Sequence, residues 1–358
     1  MSISLNGTDG VVFPDLSTQN TAATGFGFKS RIINGDMRID QRNAGASVAN
    51  TAGSGYTLDR WKIEGSQASK FTVQQNAGGV TPPAGYSNYL GVTSSSAYSV
   101  GASDYFILYQ NIEANNIADV GMGLSTAVPI TASFWVRSSL TGTFGGVFYA
   151  PPGNPSYPFT YTINTANTWE QKFVTIPGVT YGAWNSGSAN GGSFVFGLGA
   201  GASVSGPAGS WVNTLYRSAS GATSVVGTSG ATFYITGVQL EKGSTATSFD
   251  YRDYGRELIM CQRYYETVVN QSTQSIFCDM YSSTPGASAG LCFTYRVVKR
   301  ATPTMTVVGT FSVSGTLSGS PVFNTGVDSL YVFYSVASAG RAYWFANGNS
   351  GFTASAEL

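Results

Sequence analysis

The sequence predicts an all-β protein with four parts: an N-terminal attachment segment, an antiparallel β-sandwich of the jelly-roll type, a short linker helix and a second, smaller β-sandwich. Three observations lead to this prediction. Charged residues make up 10% of the 358 residues, against roughly 25% in an average soluble protein. Glycine (45 residues) and aromatic residues (21 Tyr, 21 Phe and 6 Trp) are abundant. Short apolar alternations separated by Gly, Pro, Asn and Ser clusters recur along the chain, which is typical of strands joined by turns.

Residues 1–29 differ from the rest of the chain. They are small and polar, and their apolar run at 11–13 lies between the turn signals Asp9-Gly10 and Pro14-Asp15. A segment of this composition cannot form a core of its own. Two interpretations are open: a flexible terminus, or a segment that orders only against identical copies or a partner protein.

Residues 30–252 are assigned to the sandwich, because eight or more strands separated by turn residues indicate a jelly roll. In its longest strand we expect Trp135 to face the core, since its neighbours alternate with polar residues. The predicted strands are 32–33, 61–63, 71–73, 106–109, 130–137, 145–149, 173–176, 193–198 and 233–240, followed in the C-terminal domain by 291–298 and 329–334.

A change of period marks the end of the sandwich. Residues 233–240 alternate as a strand in which Gly237 indicates a bulge, and a turn follows. The next apolar residues recur at helical spacing, so 253–267 is assigned as the linker helix and 268–358 as the C-terminal β domain. The predicted apolar face of the helix consists of Leu258, Cys261, Tyr264 and Tyr265.

Composition also excludes several classes of partner. The 18 basic and 18 acidic residues cancel, so no basic surface for nucleic acid is indicated. The chain start lacks the features of a signal peptide, and no apolar run approaches the roughly 18 residues of a membrane span. Cys261, Cys278 and Cys292 lack metal-ligand spacing, and we expect reduced, mostly buried thiols. We therefore expect synthesis in a reducing cytoplasm, without nucleic-acid binding or membrane insertion.

The sequence QLEKGSTATSFDYR, followed by ELIMCQRYY, resembles the hinge of tailed-bacteriophage virion proteins of the tail-fibre and appendage type. The stretch KRATPTMTV and residues 352–358 are similar to the C-terminal half of the same family, and the first strands of the chain resemble units near the start of phage fibres. The resemblance implies a virion structural protein, assembled in the host cytoplasm as a homotrimer. It also implies that residues 1–29 contact other virion proteins.

Six short motifs recur in order along the sandwich: NGDM at 34–37, DRW at 59–61, YQNI at 109–112, SFWVR at 133–137, TWE at 168–170 and YITGVQL at 234–240. With these motifs the sandwich resembles carbohydrate-binding modules of the galactose-binding type. This resemblance implies a jelly-roll fold and a host surface glycan as the ligand. It implies no required cofactor, although such modules often hold a structural calcium ion. Asp36 and Asp59 are the first candidate calcium ligands, and ordinary turn or cap aspartates are the alternative.

Aromatic residues in loops are the candidate glycan contacts. Trp184, Trp211 and Tyr216 lie in long loops where the two Trp side chains are expected to be exposed, and Tyr149 and Tyr157 flank a proline-rich loop. An aromatic ring can stack on the apolar face of a pyranose while Asn and Ser side chains bond its hydroxyls. The alternative is packing over the ends of the sandwich or within subunit interfaces.

The chain contains no histidine, which excludes Ser-His-Asp and Cys-His catalysis and His-ligated zinc. A pair of carboxylates acting on a glycosidic bond is the remaining hydrolase chemistry. Its candidates in the sandwich are Asp104, Glu113, Asp119 and Glu170. These acids read more simply as surface charges, so we expect no enzymatic activity.

The expected function is host attachment by multivalent recognition of a surface glycan. Two alternatives are open. One is a purely architectural protein without sugar binding, such as a capsid-decoration, head-fibre or tail-adaptor protein. The other is a glycan depolymerase, which would need two close acids in a cleft.

Overall fold

The structure is a computed structural model, and it describes residues 4–6, 10–12, 18–19, 29–151, 155–269 and 276–358. The first three stretches are strands β1 (Ser4–Asn6), β2 (Gly10–Val12) and β3 (Thr18–Gln19) of one sheet, in which β2 pairs antiparallel with both neighbours. Most of residues 1–29 lie outside the described residues, so the attachment role of this segment stays a prediction.

The large sandwich contains two six-stranded antiparallel sheets. Its strands are β4 (Val48–Ala49), β5 (Gly53–Tyr56), β6 (Lys62–Gly65), β7 (Phe71–Gln75), β8 (Leu90–Ser94), β9 (Tyr105–Glu113), β10 (Ile130–Ser138), β11 (Gly142–Tyr149), β12 (Ser156–Ile163), β13 (Glu170–Ile176), β14 (Asn190–Ala200) and β17 (Thr232–Lys242). Between β14 and β17, the short strands β15 (Ser205–Gly206) and β16 (Ser218–Ala219) form a separate parallel pair. Short 3-10 turns lie at Ala77–Gly79, Ala114–Asn116 and Ala118–Val120.

The strand order is β13-β10-β17-β8-β7-β4 in the first sheet and β12-β11-β14-β9-β6-β5 in the second. The core lies between the two sheets and is rich in fully buried aromatic rings, among them Phe134, Phe194 and Phe196. Strands β12 and β13 are each at the edge of a sheet, and both lie at the same side of the sandwich. The predicted all-β sandwich is confirmed.

The phase of strand β10 differs from the prediction. Its even-numbered residues, Ile130 to Val136, are fully buried in the core, so Trp135 faces the opposite side of the sheet and is half-buried. The prediction that Trp135 points into the core is wrong. Successive side chains point to opposite faces of a strand, so only one of the two alternating sets can face the core. Burying the four even-numbered apolar side chains removes more apolar surface from water than burying the single Trp135 ring.

Gly237 forms the predicted bulge in β17. Ser133 pairs with Gln239 but Trp135 pairs with Thr236, so β17 holds one extra residue at this point. Gly237 has φ of +59°, and a Cβ atom there would lie 2.5 Å from the Tyr86 hydroxyl oxygen. The position therefore requires glycine on both conformational and steric grounds.

The predicted linker helix is confirmed as α1 (Tyr254–Gln262). The Asp253 side chain accepts a hydrogen bond from the Arg256 backbone N–H at 2.9 Å, which caps the first turn. Cys261 and Tyr264 pack against apolar residues of the 30–39 segment. Tyr265, predicted to lie on the helix, instead begins the next strand.

Three three-stranded antiparallel sheets form the C-terminal part, with orders β18-β26-β21, β19-β25-β22 and β20-β24-β23. Their core centres on Trp344 and Phe352, both fully buried. The strands are β18 (Tyr265–Val269), β19 (Phe277–Ser282), β20 (Ser288–Thr294), β21 (Thr304–Val308), β22 (Phe311–Val313), β23 (Leu317–Thr325), β24 (Ser329–Val336), β25 (Gly340–Ala346) and β26 (Gly351–Ser355).

Buried ion pairs join the C-terminal part to the sandwich. The Glu357 carboxylate, which follows β26, accepts from Arg42 Nη2 at 2.7 Å and also contacts Arg60 Nη1. Arg60 is fully buried, and its guanidinium carbon lies 3.6 Å from the centroid of the Tyr264 ring. Arg60 Nη2 also donates to the Asn111 carbonyl oxygen at 2.5 Å.

A second buried carboxylate strengthens this junction from the sandwich side. Glu113, at the end of β9, accepts from Arg263 Nη2 at 2.6 Å and from the Tyr264 hydroxyl at 2.7 Å. The buried pair of Lys299 Nζ and Glu266, at 2.6 Å, lies within the C-terminal part and does not cross the junction. The pairs of Glu357 and Glu113 form only when the two parts are in contact, so they fix the arrangement of the C-terminal part against the sandwich.

The cysteines are free thiols, with Cys261 and Cys278 buried and Cys292 exposed. Burial raises the pKa of the Cys261 thiol well above its ordinary value, which keeps the thiol protonated and unreactive. Among the described residues, no helix is long and apolar enough to cross a membrane.

Candidate functional site

Three of the predicted glycan contacts lie together at one end of the sandwich. The Trp184 and Trp211 rings are 6.1 Å apart and nearly perpendicular, and the Tyr157 ring lies 5.4 Å from Trp211. The buried Phe148 ring stacks on Trp184 at 6.1 Å and joins the group to the core. Residues distant in sequence thus form one aromatic cluster.

The two Trp side chains are half-buried rather than exposed as expected. The indole N–H of Trp211 donates to the Pro177 carbonyl oxygen at 2.8 Å, and that of Trp184 lies 3.4 Å from the Tyr181 carbonyl oxygen. Both donors are therefore used within the chain. The rings pack over the open end of the core and support the surface beside them.

An open cleft of about 350 Å³ lies beside this aromatic cluster, between strands β12 and β13. We name it the edge cleft, because it lies where the edge strands of the two sheets meet. The loop that carries Trp211 forms one wall and is held to β12 by the Gly209 N–H, which donates to the Pro158 carbonyl oxygen at 2.9 Å. The lining residues are Tyr157, Phe159, Thr160, Phe173, Val174, Thr175, Ala208 and Gly209.

The edge cleft combines an aromatic surface with hydroxyl groups. Phe173 is 57% exposed, whereas Tyr157 and Phe159 are buried and form the apolar floor. Burial raises the pKa of Tyr157, so its hydroxyl remains protonated and able to donate. Thr160 adds a hydroxyl at the rim, whereas the Thr175 hydroxyl already lies 3.1 Å from the Thr131 hydroxyl and donates to the Ser244 carbonyl oxygen at 3.3 Å. The cleft therefore suits a neutral ligand that has both an apolar face and hydroxyl groups.

Phe173 was predicted only as part of a strand, not as a site residue. Its outward direction follows from the alternation of β13, in which Val174 and Ile176 are buried. An exposed Phe in an alternating edge strand was the available signal in the sequence. The second wall comes from a loop about 35 residues further along the chain, and no local pattern places it there.

Tyr149 and Tyr216 lie away from the edge cleft. Tyr149 packs on the outer face of the second sheet with Tyr109, where both rings are buried under Leu215. Glu64 accepts from the Tyr109 hydroxyl at 3.0 Å on that face. Tyr216 packs against Gly206, where an added Cβ would be 2.2 Å from the Tyr216 ring. In this structure, Tyr149 offers almost no surface to a ligand.

The two candidate calcium ligands belong to separate polar contacts. Asp36 forms an ion pair with Arg38, and its other carboxylate oxygen is buried without a hydrogen-bond partner in the described part of the chain. The same crevice is lined by Arg252, so two guanidinium groups face the position that a cation would take. Over the described residues, no group of three or more His, Cys, Asp or Glu side chains is placed to hold a metal ion.

Asp59 accepts hydrogen bonds from the Gln41 backbone N–H at 2.7 Å and from Gln41 Nε2 at 3.1 Å. Burial raises the pKa of Asp59 to about 7, and the Gln41 hydrogen bonds only partly offset this effect. The guanidinium groups near Asp36 fit a cation poorly, and both carboxylate oxygens of Asp59 already accept hydrogen bonds from Gln41. Calcium binding at either residue stays a prediction.

The acids considered for hydrolysis each have their own partners. Glu113 is part of the buried junction, and Asp119 pairs with Arg31 at 2.8 Å. Asp104 accepts from the Tyr98 hydroxyl at 2.7 Å, and Glu170 pairs with Lys172 at 2.6 Å. Burial raises the pKa of Glu113 and Glu170, but their hydrogen bonds outweigh burial and hold the pKa below its ordinary value. Hydrogen bonding likewise lowers the pKa of Asp104. A general acid of a glycosidase needs the opposite shift.

No family model matches the chain, and no curated protein matches it. Solved structures that are similar to parts of this chain include the enzymatically active domain of tailspike protein 4 from bacteriophage CBA120, at 12% identity and a TM-score of 0.29, over 51% of this chain and 19% of that one. A putative sugar-binding protein from Bacteroides thetaiotaomicron shares 13% identity at a TM-score of 0.34, over 60% of this chain and 100% of its own. The Clostridium thermocellum family 11 carbohydrate-binding module shares 11% identity at a TM-score of 0.26, over 56% and 100%.

Proposed function

We propose that the chain binds glycan through the edge cleft and serves as a non-enzymatic host-attachment protein of a bacteriophage virion. The observation that carries glycan binding is the edge cleft itself, where the exposed Phe173 ring stands beside hydroxyl groups. One sugar face packs on the ring, and the Tyr157 and Thr160 hydroxyls bond to the sugar hydroxyls.

The strength of one such contact is modest. Burying a whole Phe side chain contributes about 1.5–3 kcal/mol. Because 57% of Phe173 is open to a ligand, stacking on it contributes about 1–1.5 kcal/mol, or about tenfold in affinity. One site of this kind binds weakly, and firm attachment then depends on the display of several copies.

Display of several copies is supported by the edges of the C-terminal sheets. Strands β21, β22 and β23 each end one sheet and carry an exposed valine, respectively Val307, Val313 and Val322. Exposed apolar edge strands are surfaces on which further chains can pack. We propose a homotrimer, in which linked sites raise the avidity by about 10²–10⁴-fold.

Placement on a phage particle rests on the resemblance of the QLEKGSTATSFDYR and CQRYY segments to tail-fibre and appendage proteins. The buried junction supports this role, because a rigid connection transmits force between an attached end and a binding end. Residues 1–29 would contact other virion proteins. The absence of catalysis is supported by the lowered pKa of Asp104, Glu113 and Glu170.

An architectural role without sugar binding is the second candidate, and the exposed valines of the edge strands favour it. It predicts that the edge cleft is covered by neighbouring subunits in the particle. A cryo-EM reconstruction of the intact virion separates the two roles. Solvent-exposed edge clefts support attachment, and edge clefts filled by other virion proteins support the architectural role.

Affinity electrophoresis of the full chain in gels containing bacterial surface polysaccharide tests glycan binding. The wild-type chain is expected to be retarded, and Phe173→Ala is expected to lose about tenfold in affinity. Tyr254→Ala is the matched control, because Tyr254 is 56% exposed but lies on helix α1, outside the edge cleft. Equal retardation of wild type and Phe173→Ala would contradict the assignment of the edge cleft.

A further inference from the structure

A second aromatic surface lies on the outer face of the sheet β19-β25-β22. Phe277 of β19 stands opposite Phe345 of β25, and Tyr343 lies one pair further along the same face. A groove of about 310 Å³ runs across this face and is lined by Phe277, Arg341, Tyr343 and Phe345. We name these four residues and Asp279 the aromatic face.

The alternation of the two strands produces this surface. Cys278, Ala342 and Trp344 point into the C-terminal core, which turns their neighbours outward. An outward sheet face that serves only solubility carries polar residues, but Phe277 here is 48% exposed. These rings are not needed for the core, which is completed by Trp344 and Phe352 on the other side.

An ion pair fixes the polar part of the groove. Arg341 Nε donates to Asp279 Oδ1 at 3.0 Å, and Arg341 Nη2 donates to Asp279 Oδ2 at 2.5 Å. This bidentate contact uses one edge of the guanidinium and leaves Nη1 without a partner among the described residues. The guanidinium carbon also lies 5.5 Å from the centroid of the Tyr343 ring.

We propose that the aromatic face is a second ligand site, which binds neutral hexose glycan. The rings offer stacking surfaces, while Arg341 Nη1 and the Asp279 carboxylate offer a donor and an acceptor at a fixed separation, suited to neighbouring sugar hydroxyls. The ion pair is internally neutral, so it provides no net attraction for an acidic sugar.

A second copy of the chain is the other conceivable occupant, but the geometry favours a small ligand. The groove is within the size range of ligand pockets, and one of its lining residues, Arg341, is held by the ion pair with Asp279. The exposed valines that suit subunit contact lie instead on the edge strands β21, β22 and β23. This site shares no residue with the edge cleft, so it goes beyond the function proposed above and can be present without it.

The test measures glycan binding in a chain whose edge cleft is already weakened. Phe173→Ala is used as the background, and the probes are neutral β-glucan, galactan and mannan, with polygalacturonate as an acidic comparison. Residual binding to a neutral polysaccharide is expected in this background. Adding Tyr343→Ala is expected to lower it about tenfold, because a stacking ring is removed from the groove.

Two further measurements keep the result interpretable. Arg341→Lys retains the charge but loses the planar fork, so it should lower affinity while the melting temperature stays close to that of the background. Light scattering should give the same mass for Tyr343→Ala and wild type. Unchanged affinity in both variants would overturn the proposal, and so would binding of polygalacturonate alone or of no probe at all. Loss of oligomers in Tyr343→Ala would also overturn it, because the aromatic face would then be a subunit interface.

Discussion

Removing the Glu357 carboxylate should uncouple the C-terminal part from the sandwich. In Glu357→Ala the fully buried Arg60 loses its closest anion and retains only the Asn111 carbonyl and the Tyr264 ring. Burial alone would lower the pKa of Arg60, but the Glu357 charge outweighs burial and raises it. Truncating one partner of a buried ion pair costs about 3–5 kcal/mol, because the other charge is left desolvated.

We expect urea unfolding of Glu357→Ala to show this loss in the free energy of unfolding. Calorimetry should show a single transition in wild type and two in the variant, since the junction, reduced to contacts such as those of Glu113, couples the two parts less strongly. Asp279→Asn is the control, because the Asp279–Arg341 pair is on the surface and should contribute little. An unfolding midpoint of Glu357→Ala equal to that of wild type would refute the reasoning.

Three further predictions concern buried or strained residues. The pKa of Asp59 is about 7 in the folded chain and about 3.9 in the unfolded chain, so between these pH values the folded chain holds a proton that the unfolded chain has lost. The free energy of unfolding should therefore fall by up to about 4 kcal/mol as pH rises from about 4 to about 7. Urea unfolding of Asp59→Asn should show no such fall. Because Arg38 and Arg252 line the crevice at Asp36, added calcium is expected to leave the melting temperature unchanged; a rise that EDTA reverses and Asp36→Asn removes would instead support the calcium site predicted from the sequence. Gly237→Ala should destabilise by more than about 1 kcal/mol in thermal melts, because φ is +59° and the new Cβ meets the Tyr86 hydroxyl; wild-type stability would contradict the close packing of the bulge.

Local periodicity was sufficient to predict much of the architecture. The bulge at Gly237 and the helix that starts after Asp253 are confirmed, because each depends on residues a few positions apart. Residues 32–33, however, are not a strand. The Gln110 side chain accepts from the Ile33 N–H and donates to the Ile33 carbonyl oxygen, both at 2.8 Å. The backbone of Ile33 is therefore hydrogen-bonded by a side chain and not by a neighbouring strand.

The candidate site could be predicted only in part. Three of the five aromatic residues predicted from loops do form one cluster, but the exposed ring of the edge cleft is Phe173, in a strand. The edge cleft depends on two edge strands from different sheets meeting at one side, which is decided by tertiary packing. The junction pairs Glu357 with Arg60 across 297 positions of sequence, and no local pattern connects them.

Glycan binding by the edge cleft is the central claim, and isothermal titration calorimetry of the full chain tests it most directly. Wild type, Phe173→Ala and the control Tyr254→Ala would be titrated with oligosaccharides released from bacterial surface polysaccharide. We predict that wild type and Tyr254→Ala bind alike and that Phe173→Ala binds about tenfold more weakly. Equal affinity of all three chains, or no heat of binding in wild type, would contradict the claim.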